Sequence, residues 1–266
     1  MWGQEGMNGC WTTPEDVPAL VPDGLQLWRI NLGPGDARLP DIRILLDQAC
    51  AVLNTAERER AARMRAGAPR EEFIAGRGCL RRLLGTVLNA DPRTLILETR
   101  PQGKPFLRSK PGQIAPEFNL AHSHGVILIG LSMVGAIGVD VEYLDPGVEL
   151  YDVARTAFHA DDLARIQFAA TQDEGLAGFY RCWTRKEAVA KADGRGLTLE
   201  PTSFAAGADS NIEQKVVLNE PSPGSSFYVR GIDVGPSHRA AIATVARGRI
   251  PECYDFSPRS PLLFVE

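Results

Sequence analysis

Seven residues, 136–142, constrain this chain more than any others: Ala-Ile-Gly-Val-Asp-Val-Glu. Side chains alternate along a strand, so Ile137, Val139 and Val141 share an apolar face that belongs to a core. The opposite face carries Ala136, Gly138, Asp140 and Glu142. Two carboxylates therefore project the same way, about 7 Å apart at Cα. Like charges so close repel unless a cation sits between them. Oxygen-only ligands suit a hard ion, Mg2+ or Mn2+. A solvent-exposed strand end with two ordinary acids is the other reading of the same residues.

A second carboxylate signal lies in a predicted helix over 173–193. On a wheel of about 100° per residue with Trp183 at zero, Phe179, Ala190 and Tyr180 form an apolar stripe that is expected to face inward. Glu187 falls inside that stripe and Lys191 at its margin. Arg181, Arg185 and Ala192 fall opposite, where solvent is expected. A carboxylate on a buried face is costly unless it is paired or metal-bound. A simple Glu187–Lys191 i,i+4 salt bridge is the alternative. Gly194 and Gly196 suit a C-cap and a tight exit.

Around these segments the pattern is mixed. Residues 1–24 read as a loose extension, and Leu25–Leu32 as a strand. Helices are expected at Arg43–Leu53, Ala56–Arg65 (capped by Thr55), Arg70–Leu88 and 149–169. Five prolines between 91 and 117 leave loop and short strands there. Val126–Ser132 and Ala136–Glu142 read as a hairpin around 133–135. Phe227–Val234 and His238–Val245 read as another. Helices with antiparallel hairpins imply an α+β protein.

Composition narrows the function classes. The 266 residues carry a net charge of −4, and few aromatics interleave with the basic residues, so nucleic-acid binding is not expected. Yet residues 57–82 hold eight Arg against four acids. That stretch is either an anion-binding surface or a solvated face of Glu–Arg pairs. Five cysteines without a Cys-x-x-Cys fit a reducing cytoplasm. The acidic N-terminus does not look like a signal peptide, and Val126–Leu131 is too short to span a membrane.

Four motifs together resemble the 4'-phosphopantetheinyl transferases: Gly103-Lys-Pro-Phe106, Phe118-Asn-Leu-Ala-His-Ser123, Gly138-Val-Asp-Val-Glu142, and the run from Phe179 through Trp183, Lys186, Glu187 and Lys191 to Leu197. Order and spacing match the larger, single-chain, two-lobed class that activates peptide and polyketide synthases. The resemblance covers about 25–245. It implies two similar, pseudo-twofold-related α+β lobes with the active site between them: an extension over 1–24, a lobe over 25–136, and a second lobe over 137–266 with the metal and transfer motifs. It makes Asp140, Glu142 and Glu187 the metal ligands and Lys191 a phosphate contact. It places Arg58, Arg77, Lys104 and His122 on coenzyme A. Residue 121 is Ala where the family usually has Ser. His124 follows His122 at i+2 and is expected to be a loop residue, because no third metal ligand is nearby.

The implied reaction is Mg2+-dependent, with Mn2+ as the alternative ion. A serine of an apo acyl or peptidyl carrier protein attacks the β-phosphate of coenzyme A, and adenosine 3',5'-bisphosphate leaves. Glu187 is ligand, general base or both, and Lys191 stabilises developing charge. A cytoplasmic monomer with no membrane or nucleic-acid partner is expected. The three carboxylates would equally serve a metal-dependent phosphohydrolase, or a non-catalytic carrier-binding module descended from the enzyme.

Overall fold

Leu25–Asn31 (β1) runs through the middle of a sheet, and all of its residues but Arg29 and Asn31 are sealed from solvent, with Leu27, Trp28 and Ile30 at 0–1% exposure. In a computed structural model of the chain, the described residues are 11–33, 40–109, 112–147, 150–169, 171–207, 212–218 and 225–256. They form helices and several sheets, an α+β protein. The chain divides into two compact units. One takes Trp11–Arg100, Pro105–Met133 and the chain from Pro251 onward; the other takes Pro101–Lys104 and Val134–Ile250.

In the first unit, β1 pairs antiparallel with Val126–Ser132 (β5), which pairs with Glu117–Ser123 (β4). On its other edge β1 pairs in parallel with Glu252–Asp255 (β10). A separate two-stranded ribbon joins Leu97–Thr99 (β2) to Pro105–Leu107 (β3). Among the described residues three α-helices complete the unit: Pro40–Ala51 (α1), Thr55–Arg63 (α2) and Ala68–Leu88 (α3). Leu80, Leu83 and Leu84 of α3 and Leu45 of α1 share one core with Trp28, Ile30, Ile127 and Ile129 of the sheet. Gly78 sits where α1 and α3 touch; a Cβ there would lie 2.5 Å from the Ala49 backbone. The expected cap of α2 moves back one residue. Asn54, not Thr55, accepts from Glu57 N–H, and Glu57 bonds back to Asn54 N–H, a capping box with the acid at N3.

The second unit is a sheet ordered β6-β9-β8-β7 with helices on it. Its strands are Ile137–Tyr143 (β6), Gln214–Leu218 (β7), Ser225–Ile232 (β8) and His238–Thr244 (β9), antiparallel throughout. Leu150–Ala157 (α4) and Ala160–Gln167 (α5) precede the 22-residue Gln172–Asp193 (α6). The β8–β9 pair is the expected final hairpin.

Four further expectations change. Residues 126–132 and 136–142 are not a hairpin: β5 is flanked by β1 and β4, β6 pairs with β9, and 133–135 passes from one unit to the other. The tight hairpin is β4–β5, turned by His124 (φ 46°) and Gly125 (φ 85°), since a two-residue loop of this kind needs positive φ at both positions. The helix expected over 149–169 is two, because His159 caps a new helix by accepting from Asp161 N–H while Phe158 turns into the core. Residues 11–24 are not loose. Val17 and Leu20 pack on the core, Thr12 bridges to Tyr254, and Arg29 stacks on the Trp11 ring. Residues 1–10 of the expected extension lie outside the described residues.

The fifth change concerns α6. Its sheet-facing side carries Ala188, Val189 and Ala192, with Arg185 2% exposed beside them. That is the side expected to meet solvent. Trp183 and Phe179 instead join Phe158 in an aromatic cluster against α4 and α5. The helix is packed on two sides, and the wheel's aromatic stripe marks only the second.

Candidate functional site

The strand β6 and helix α6 bring the acids together by touching backbone to backbone. Gly138 makes that possible: a Cβ on it would lie 2.0 Å from the Ala188 carbonyl oxygen and 2.4 Å from the Ala192 nitrogen. The face of β6 that carries Gly138, Asp140 and Glu142 is therefore the face under the helix. Ile137, Val139 and Val141, on the other face, are buried as well.

Asp140 is 3% exposed. Its Oδ1 accepts from Lys191 Nζ at 2.5 Å. Its Oδ2 is buried and has no hydrogen-bond partner. Burial pushes the Asp140 carboxyl up to about 7; the Lys191 ammonium opposes this, and the charges of Glu142 and Glu187 add to it. Lys191 is held above its usual range: burial works downward, and the carboxylates of Asp140, Glu187 and Glu142 outweigh it. Glu142 and Glu187 are half-buried, so Glu187 lies at the rim of the helix–sheet seam and not on a fully buried stripe.

An acceptor oxygen that is buried without a donor fits a cation, and the donor chemistry of three carboxylates fits Mg2+ or Mn2+. Among the described residues, no three acidic, His or Cys side chains are already gathered as a metal shell. Asp140 is the fixed member, and Glu142 and Glu187 stand near enough to act on it through their charge.

Lys104 belongs to the same unit. Its Nζ donates to Ile137 O at 3.1 Å and Ala192 O at 3.3 Å, joining the start of β6 to the end of α6. The fold uses it as a strut beside the acids.

The other expected residues lie in the first unit. Arg58 is exposed on α2. Arg77, on α3, pairs with Glu57 at 3.1 Å and is 16% exposed. The neighbouring Arg81 is fully buried against the same Glu57 and the carbonyls of Pro92 and Leu95. The Arg-rich stretch is thus in part internal pairing. His122, on the edge strand β4, has its Nδ1 2.8 Å from Glu72 Oε2. Glu72 went unnoticed in the sequence. Its signal was position: with Ala75, Gly76, Cys79, Leu80 and Leu83 it continues the buried stripe of α3. His124 is exposed in the β4–β5 turn, as the loop reading expects.

The seam between strand and helix is thus acidic, with a lysine on its buried carboxylate, in an α+β fold. Comparison with known proteins gives the family. Residues 136–245 match the sequence model of the 4'-phosphopantetheinyl transferase superfamily. The chain is 33% identical over 187 residues to the 4'-phosphopantetheinyl transferase HetI of Nostoc sp. strain PCC 7120, covering 70% of this chain and 76% of that protein. It is 35% identical over 209 residues to a phosphopantetheinyl transferase of Thraustochytrium sp., covering 72% and 69%. It is 24% identical over 196 residues to a 4'-phosphopantetheinyl transferase of Bacillus subtilis, covering 74% and 84%. The chain belongs to the 4'-phosphopantetheinyl transferase superfamily. Among the described residues, no helix is long and apolar enough to cross a membrane.

Proposed function

We propose that this transferase moves the 4'-phosphopantetheine arm of coenzyme A onto a serine of an apo acyl or peptidyl carrier protein, as a cytoplasmic monomer. The observation that carries the reading is Asp140: a buried carboxylate with one oxygen on Lys191 and the other without a partner, on the strand that matches the family. Asp140, Glu142 and Glu187 would hold Mg2+ (or Mn2+). The ion's contribution is neutralisation of phosphate charge.

The chain's own residues account for the rest. The serine oxygen forms a bond to the β-phosphorus, the bond from that phosphorus to the bridging oxygen breaks, and adenosine 3',5'-bisphosphate leaves. Glu187 takes the serine proton, directly or through a water. Lys191 is placed to donate to the oxygens where charge develops. Arg58, Arg77, Lys104 and His122 would bind the phosphates and nucleotide of coenzyme A; Arg and His suit this as charge-assisted donors.

The test is mass spectrometry of an apo carrier protein incubated with coenzyme A and Mg2+. The expected result is a gain of one phosphopantetheine arm, abolished by chelation. Asp140→Ala and Glu187→Ala should each slow the gain by about a hundredfold or more. Full activity in either variant would sink the metal assignment. Free phosphopantetheine without an acceptor would instead mark a phosphohydrolase.

A further inference from the structure

We infer that Glu72 is the positioning residue for His122: it fixes the imidazole so that Nε2 is the nitrogen offered to the phosphates of coenzyme A. This rests on the reading of His122 as a phosphate contact. Glu72 is 6% exposed, yet both of its oxygens are engaged. Oε1 accepts from Gly125 N–H at 2.6 Å, and Oε2 lies 2.8 Å from His122 Nδ1. Its carboxyl stays below the usual range: burial works upward, and the bonds from His122 and Gly125 outweigh it.

An ionised carboxylate only accepts, so His122 Nδ1 must carry the hydrogen of that bond. The ring can then neither flip nor exchange nitrogens without losing a buried partner. His122 itself is 42% exposed against 8% for the Glu72 side chain. Nε2 is left as the nitrogen a ligand can take; a phosphate oxygen only accepts, so on coenzyme A Nε2 must carry a hydrogen as well, and the Glu72 carboxylate balances the charge of that doubly protonated ring. The same carboxylate holds the amide of Gly125, in the turn directly after the strand that carries His122. One buried side chain on α3 thereby sets both the ring and the chain direction next to it. A His whose second nitrogen is held by a carboxylate is a common way to orient the first. Gln at position 72 would keep an acceptor for Gly125 but turn an N–H donor toward Nδ1 and remove the negative charge, so the doubly protonated ring loses both its acceptor and its counter-charge.

The experiment is steady-state kinetics on the full chain with coenzyme A and an apo carrier protein, using Glu72→Gln, His122→Ala and the double variant. His122→Ala and Glu72→Gln are each expected to raise KM for coenzyme A about tenfold, with kcat changed less than about twofold. In the double variant Glu72→Gln adds nothing. Nitrogen-15 spectra of the His122 ring, without substrate, should show Nδ1 protonated in the wild type and a changed pattern in Glu72→Gln. If His122→Ala leaves KM unchanged, the phosphate reading of His122 falls. If it raises KM while Glu72→Gln does not, or acts equally in both backgrounds, that reading stands and the role of Glu72 is overturned. Should Glu72→Gln not fold, Glu72→Asp, which keeps the charge, is read by the same spectra and the same cycle.

Discussion

Gly138 shows how much one missing methyl group can do. Strand and helix approach so closely there that the nearest obstacles to a Cβ are backbone atoms, which cannot rotate away. Gly138→Ala should push α6 off β6, destabilise the protein by about 2 kcal/mol or more, and separate Asp140 from Lys191. Thermal unfolding and the carrier-loading assay together check this, with activity falling even where the protein remains folded. Glu72 supplies a pH signature at the same scale. Its folded carboxyl lies below its ordinary 4.5, so the stability it contributes is complete above about that pH and lost as pH falls through the lower folded value. The Tm gap between wild type and Glu72→Gln should therefore narrow below pH 4.5 in acid thermal scans; a constant gap would contradict it. Asp140 and Glu142 were legible as a same-face pair because strand alternation constrains them locally; Glu187 and Lys191 were marked by their i,i+4 spacing, although the wheel shows only one of the two packed sides of α6. Glu72 was not, since its partners lie 50 and 53 residues away.

At the scale of elements, α6 is the piece whose environment the sequence misstates. A single wheel assumes one buried side, and α6 has two. What lets Lys186 enter its buried surface is pairing. Lys186, 4% exposed, bonds to the carbonyls of Pro201 and Phe204 and lies 3.2 Å from Asp162. Asp162 also accepts from the amides of Ala206 and Gly207. This knot ties α5 and the loop after α6 to the helix one residue before Glu187. Lys186→Met leaves the Asp162 charge buried without its cation and should cost about 3–5 kcal/mol. Denaturant unfolding measures it, and a loss under about 1 kcal/mol would show the pair to be dispensable. The existence of α1, α2, α3 and α6 was readable from apolar spacing and caps. The split of 149–169 was not, because His is an uncommon cap and Phe158 continues the apolar pattern across the break.

For the whole molecule, the informative element is the shortest named strand of the main sheets. β10 has four residues, and nothing in Glu-Cys-Tyr-Asp alternates strongly enough to announce a strand. Its role is set by β1, which needs a partner on its second edge. Tyr254 and Phe256 lie against Trp28 at 4.8 and 5.9 Å between ring centroids, and Asp255 pairs with Arg29 at 2.7 Å. A chain ending at Ile250 should lose the fold of the first unit while the second keeps its sheet. The fluorescence of Trp28 would shift to that of an exposed indole, and protection from hydrogen exchange would persist in β6–β9. Retained burial of Trp28 would refute this.

The position of β10 also sets a timetable. A ribosome making this chain finishes β1, β4 and β5 early, then must build about 120 further residues before β10 exists. At 5–20 residues per second that is roughly 6–25 s. Throughout that interval the outer edge of β1 is an open template for any passing strand. The nascent chain is thus most prone to aggregate while its second unit is being translated, and a slow stretch of codons there would lengthen the exposure.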